Sequence, residues 1–337
     1  MAMPGNIKWR YYNVHGVLAV KSNVPILTRY FIAQKLDKAP DLIIAFGDFV
    51  DERLGHDHLD RLRITYRAKG ILRSEVLIEG LASGRTTRLL IASPAFRLLG
   101  RVSRKSRTIT RAIIFLKMLQ KWHAYLHAAC VEQDGRGILL VAPPETGKTL
   151  TTLKLVLEHG FRFLSDDMTI IGPGCIALAN PGAMTIHPIH LKACGIRLGC
   201  RENIEMSLRH FLRSIPYVLF GVKEFKVGFE RLIDRERLAK RARVSMICFL
   251  EEGPTSVREM DKEEALRRIL AAGRMHLSVY ENSLIQRYAY QNPEFDLEGL
   301  LERFRRLCQE LVEKTPCWHV KCRGKRFVDV ITRKLWP

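Results

Sequence analysis

The stretch Ile138-Leu139-Leu140-Val141-Ala142-Pro143-Pro144-Glu145-Thr146-Gly147-Lys148-Thr149-Leu150 decides the fold. Ile138 to Val141 read as a buried strand. They run directly into a turn that ends in Gly147-Lys148-Thr149. Leu150, Leu153, Leu155, Val156 and Leu157 then mark a helix, which stops at His159-Gly160, a glycine C-terminal signal. Gly-Lys-Thr alone is a weak tripeptide. The strand before it and the helix after it make it specific.

Such a connection aims successive backbone N–H groups, and the positive end of the helix dipole, at phosphate oxygens. Lys148 is expected to reach the β/γ-phosphates of ATP, and the Thr149 hydroxyl to sit on Mg²⁺. Gly147 stands where the backbone must pass close to phosphate. The expected nucleotide-holding run is Pro143, Pro144, Glu145, Thr146, Gly147, Lys148, Thr149 and Leu150. Two features depart from the usual loop: Ala142 sits at the first glycine, and the two prolines remove two donors. The bland alternative is an ordinary strand–turn–helix connection with an exposed lysine.

Downstream, Phe161 to Leu164 read as a strand ending in Ser165-Asp166-Asp167, and Met168 to Ile171 as the next strand. A strand end beside a phosphate loop is where phosphoryl-transfer chemistry keeps carboxylates. Adjacent strand residues face opposite ways. The two aspartates are therefore expected to divide the work, one holding Mg²⁺ and one accepting the proton of an attacking hydroxyl. A loop start or helix N-cap is the alternative. Upstream, His127 to Val131 read as a strand, followed by the turn Gln133 to Gly137. If that strand lies beside Ile138 to Val141, His127 can reach the carboxylates and tune a base. His187-Pro-Ile-His190 has the form of a metal pair, but no further ligands are evident.

Strand-type runs at Tyr11 to Val20, Asp41 to Phe46 and Glu75 to Ile78, punctuated by Gly70, Gly80 and Gly84, give a strand-rich beginning. Thr108 to Tyr125 is helical in pattern. Beyond residue 200, helices are expected at Glu230 to Lys240, Lys262 to Ala272 and Leu297 to Glu313, with strands at Ser245 to Leu250 and Trp318 to Val320. The length of 337 residues favours two domains. They are drawn at 1–120, strand-rich α+β, and 121–337, holding the phosphate loop.

The charge balance is unusual: 55 Lys and Arg against 35 Asp and Glu leave a formal +20. That surplus attracts polyanions, so nucleotides, nucleic acid, acidic peptides and anionic surfaces are candidate partners. It is densest at Arg101 to Arg107, Arg231 to Arg243 and Lys321 to Arg326. The eight cysteines form no C-x-x-C pair, and Cys317, His319 and Cys322 lack an evident fourth ligand. Reduced thiols in a cytoplasmic protein are expected. Met1 to Tyr12 carries no apolar signal-peptide core, and no apolar run nears the ~20 residues needed to span a bilayer.

Leu126-His127-Ala-Ala, Ala142 to Thr149, and Ser165-Asp166-Asp167 together resemble the catalytic domain of HPr serine kinase/phosphorylase and the kinases related to it. The spacing 148 − 127 = 21 residues is as expected for that family. The resemblance is strong over about residues 123 to 172 and weaker beyond, at Asn180-Pro-Gly182 and Thr315-Pro316-Cys-Trp. It implies an α/β fold, a P-loop kinase domain of the HPr kinase/phosphoenolpyruvate carboxykinase type. It also implies ATP and Mg²⁺ as cofactors, Asp166 as catalytic base, Asp167 and Thr149 at the metal, Lys148 on the phosphates, and His127 close to the base.

Two departures matter: Ala142 and Pro144 replace glycine and a small polar residue, and Leu150 stands where glutamate is frequent. No copy of the signature for phosphate-dependent dephosphorylation is evident, so the kinase direction is favoured. The implied acceptor is a peptide, protein or small-molecule hydroxyl, a serine first of all, with lasso-peptide precursors among those of the relatives. Relatives' symmetric oligomers imply a homo-oligomer. The runner-up reading is a nucleic-acid-directed kinase or nucleotide-binding protein using the basic surface, although no known nucleic-acid module is present. A non-catalytic nucleotide sensor is the third.

Overall fold

The computed structural model describes residues 8–47, 60–67, 73–93, 96, 102–196, 199, 202, 204–208, 225–276 and 282–336. Gly70, Arg101 and Cys200 lie outside them. The fold is mixed α/β, with several sheets and helices. Contacts group the chain into two units. One is Met1–Ala124 with Arg274–Leu307, and the other is Tyr125–Gly273 with Cys308–Pro337.

The first unit holds a mixed seven-stranded sheet. Its strands are β1 (Arg10–Val14), β2 (Leu18–Ser22), β3 (Ile32–Ala33), β4 (Leu42–Phe46), β5 (Arg61–Arg67), β6 (Arg73–Glu79) and β7 (Thr87–Ala92), in the order β3-β1-β2-β4-β7-β6-β5. Tyr11 to Val20, expected as one run, is a hairpin. His15 at φ 52° and Gly16 at φ 73° reverse the chain, and β1 pairs antiparallel with β2. Leu42, Ile44 and Phe46 are buried on one face of β4 at the period of two.

Helix α1 (Arg104–Gln120) buries Ile109, Ile113, Leu116 and Leu119. It starts four residues before the expected Thr108, because Ser103 caps it by accepting the Ser106 N–H. It stops short of Tyr125 because Trp122 turns to φ 55°. The helices Ser283–Gln291 and Leu297–Lys314 follow later in the chain.

The second unit is built on a nine-stranded sheet. β8 (Ala124–Leu126) and β9 (Ala129–Gln133) precede β10 (Arg136–Val141), which is joined to β9 by a tight turn with Asp134 at φ 52° and Gly135 at φ 79°. Positive φ at both central residues is what a two-residue hairpin demands. Helix α2 (Lys148–Glu158) follows β10, then β11 (Arg162–Ser165), β12 (Thr169–Gly172) and β13 (Ile176–Leu178). The short pair β14 (Ala183–Thr185) and β15 (Lys226–Gly228) forms its own two-stranded sheet. The long β16 (Arg241–Glu252) lies parallel to β10, with Val141 level with Phe249. β17 (Ser256–Glu259) and β18 (Cys317–Cys322) complete the set, β18 running parallel to β16.

Two expectations fail here. His127 does not begin a strand: it sits in the break between β8 and β9, where the Ala128 N–H closes a turn onto the Leu126 carbonyl at 2.8 Å. Glu230 to Lys240 is not a helix. It holds two single 3₁₀ turns, Phe229–Arg231 and Arg235–Arg237. Leu238 bridges to Phe163, and the Ala239 N–H donates to the Phe163 carbonyl at 3.0 Å. Pairing with the edge of β11 wins over helical propensity.

Candidate active site

At Val141 the chain leaves the sheet. Ala142 is buried, Pro143, Pro144 and Glu145 are exposed, and Thr146 and Gly147 are half-buried. Glu145 takes φ 65° and Gly147 φ 115°. Thr146 braces the loop by donating its hydroxyl to the Pro143 carbonyl at 3.0 Å. Gly147 caps α2 without a side chain. The first backbone bond of the helix is from the Thr151 N–H to the Gly147 carbonyl, 3.0 Å. The N–H groups of Lys148, Thr149 and Leu150 thus have no intrahelical acceptor. They stand at the positive end of the helix dipole, with no acidic residue in the first turn to compete for it.

Lys148 is 5% exposed. Its ammonium donates to the Ala142 carbonyl at 2.6 Å and to the Pro143 carbonyl at 3.2 Å. It also lies 3.3 Å from His127 Nε2. The other ring nitrogen, Nδ1, lies 3.0 Å from the Asp167 carbonyl. A carbonyl only accepts, so Nδ1 carries the proton and Nε2 turns its lone pair to Lys148. Burial pushes the Lys148 ammonium below its ordinary pKa, against the fields of Asp167 and Asp166.

Thr149 donates its hydroxyl to Asp166 Oδ2 at 2.9 Å. Asp166 Oδ1 is buried and has no hydrogen-bond partner among the described residues. Burial first, and Asp167 second, push the Asp166 carboxyl up to about 7, opposed by Thr149, Lys148 and Lys226. Behind the pair, Ser165 donates to Thr169 Oγ1 at 2.6 Å, and Thr169 donates to the Ala128 carbonyl at 2.8 Å. This chain of bonds ties the aspartate turn to the residue next to His127.

His127, Lys148, Thr149, Asp166 and the Asp167 backbone are therefore brought together. Asp167 is half-buried and Leu150 is buried against the core side of α2. His187 and His190 pack ring to ring at 5.3 Å. Among the described residues no group of three or more His, Cys, Asp or Glu could cage a metal ion. All seven described cysteines are free.

Sequence reasoning missed two participants. Lys226, on β15, reaches Asp166 with its field. Asn180 donates its side-chain N–H to the Met168 carbonyl at 2.8 Å and its backbone N–H to the Leu164 carbonyl at 3.0 Å, bracing both sides of the aspartate turn. The Asn180-Pro-Gly182 stretch was the available signal for the second. Nothing near Lys226 in the sequence announces the first.

No family model matches the chain, and no curated protein matches it by sequence. Among solved structures, the HPr(Ser) kinase/phosphatase from Coxiella burnetii matches with 12% identity and a TM-score of 0.26, over 49% of this chain and 93% of that one. At that TM-score the likeness assigns no activity to this chain. Among the described residues no helix is long and apolar enough to cross a membrane.

Proposed function

We propose that this chain is a kinase of the HPr kinase-like type, transferring the γ-phosphoryl group of ATP to a hydroxyl, a serine of a peptide or protein first of all. The observation that carries the reading is the Thr149–Asp166 pair at the open head of α2, with a buried, unpartnered carboxylate oxygen beside Lys148. The N–H groups of Lys148, Thr149 and Leu150 bind phosphate oxygens. Lys148 trades its two carbonyl partners for the β/γ-phosphates, while His127 Nε2, 3.3 Å from the ammonium, stays as its third partner during that exchange. Asp166 keeps Oδ2 on the Thr149 hydroxyl and offers Oδ1 to the acceptor hydroxyl. As the hydroxyl oxygen bonds to the γ-phosphorus, its proton passes to Asp166 and the bond from that phosphorus to the ADP oxygen breaks. A carboxyl poised near 7 is suited to this task.

The residues also fit Mg²⁺. This ion takes one or two carboxylates and completes its shell with water and substrate phosphates, so a full protein cage is not needed. Thr149 and Asp167 would hold it, and it would supply charge neutralisation at the phosphates. The free thiols support a cytoplasmic setting. The proposed catalytic part lies within 121–337, after a strand-rich 1–120, with residues 274–307 grouped by their contacts with the first unit instead.

The test is mass spectrometry of candidate hydroxyl acceptors after incubation with ATP–Mg²⁺. An added phosphate is expected with the parent protein and not with Lys148→Ala. Equal labelling by both proteins, or no nucleotide binding by the parent, would falsify the reading.

A further inference from the structure

A cavity of about 360 Å³ lies within the first unit, remote in sequence from the phosphate loop. Lys117, Gln120 and Lys121, from the last turns of α1 and the residue after it, line it together with Arg303. Exposed Glu294 and Asp296 stand at its rim.

Lys117 is only 2% exposed. An ammonium has three donors, and among the described residues this one makes a single bond, to the Arg85 carbonyl at 3.4 Å. Among the described residues no carboxylate pairs with it. The two whose fields reach it are engaged elsewhere. Asp41 is held by Lys121 at 2.9 Å, by Lys38 at 3.4 Å and by the Ala19 N–H at 2.8 Å. Asp60 accepts the N–H groups of Ala82 and Ser83 and the hydroxyl of Tyr288. Burial accordingly pushes Lys117 down to about 8.

Among the described residues Arg303 also has no carboxylate bonded to it. Its guanidinium stacks over Trp122 at 5.0 Å and spends one N–H on the Gln120 carbonyl at 3.2 Å. The interior of the cavity therefore holds underused cations, and its mouth holds carboxylates. That polarity decides the class of ligand. Carboxylates at the mouth repel a polyanion. A lone small anion would satisfy the floor and waste the rim.

We propose that the cavity is a binding site for a compact zwitterion, its oxyanion turned in to Lys117 and Arg303 and its ammonium turned out to Glu294 and Asp296. Two sources share that chemistry: the termini of an amino acid or short peptide, and a phosphoamine. None of the residues lining the cavity belongs to the phosphate loop, so its test does not depend on the kinase reading.

The experiment is isothermal titration of the full chain, in a Lys148→Ala background that silences the phosphate loop, with alanyl-alanine and with phosphoethanolamine as probes. Binding of at least one probe is expected, the one that binds naming the source. Lys117→Met should weaken it about tenfold or more, the size of one charge-assisted contact. Glu294→Gln, an exposed change that leaves the core alone, should weaken it about threefold or more. If Lys117→Met fails to fold, Arg303→Gln takes its place with the same expectation. The proposal is overturned if neither probe binds, or if binding ignores both the inner and the rim substitution.

Discussion

In the proposed kinase reading Asp166 is the base, and two predictions follow from its position. A base must be ionised to take a proton. With the carboxyl at about 7, kcat/KM with a hydroxyl acceptor should climb with pH through about 7 and level off above it. Asp166→Asn should cost roughly 10²–10⁴-fold in turnover at the plateau, the usual share of a general base. A pH profile of the parent that is flat from 5 to 8.5 would remove Asp166 from that role. Stability should move the other way. The folded pKa lies above the unfolded value of about 3.9, so between those values the native state binds the proton that the unfolded state has lost. The parent therefore loses stability as pH rises toward 7. Asn carries no such charge. Melts at pH 5 and pH 8 should show Asp166→Asn gaining on the parent by about 1–3 kcal/mol over that interval, the scale of an unsatisfied buried group. An equal gap at both pH values would place the cause elsewhere. The closeness of Lys148, Thr149 and Asp166 was legible in the sequence, because the strand–turn–helix context and the strand end before Asp166 locate them, whereas His127 was expected at a strand start that the fold does not form. The lone pair that His127 turns to Lys148 was not legible either, since the Asp167 carbonyl sets that tautomer across 40 residues of chain.

Elements that read well are those whose apolar period is unbroken: β10, α2 and the helix Leu297–Lys314. The segment after Gly228 shows why others do not. Its apolar residues Phe229, Leu232 and Ile233 begin a helical face, but the next turn offers Glu236 and Arg237. Arg237 instead donates to the Val156 carbonyl at 2.8 Å, near the C-terminal end of α2, an acceptor that no local pattern reveals. A similar long-range bond supports the edge of the sheet. Glu132 on β9 is 0% exposed and takes two bonds from Arg162 on β11, at 2.7 and 2.8 Å, besides the Gly135 N–H of its own turn. Arg162→Met would leave that carboxylate buried with one partner. The expected loss is about 1–3 kcal/mol, less than for a fully buried pair because the arginine side chain is 51% exposed. Urea melts should show a lower midpoint with an unchanged slope. Adding Glu132→Gln to the same chain should recover part of the loss; a strictly additive double variant would mean that the pair does not interact.

At the scale of the whole molecule, contacts place residues 274–307 with the first 124. No composition shift or linker marks that return, because it rests on side chains such as Tyr288, whose hydroxyl accepts the Leu81 and Ala82 N–H groups at 3.2 and 3.1 Å. The net charge, by contrast, is plain in the sequence, and it bears on the nucleic-acid reading. A surplus of 20 positive charges would draw RNA by its field alone. Binding of that kind is indifferent to sequence and depends steeply on salt: neutralising about six phosphates costs roughly 10³-fold in affinity between 50 and 200 mM salt. In the proposed reading ATP at the head of α2 would be held by backbone N–H groups and one buried ammonium, so its affinity should fall far less over the same range. Lys148→Ala should abolish ATP binding and leave RNA binding untouched. Titrating tRNA and ATP against both proteins at the two salt concentrations separates the cases. RNA affinity that survives 200 mM salt, prefers one sequence and disappears with Lys148 would put nucleic acid in the phosphate-loop site and displace the peptide-hydroxyl acceptor.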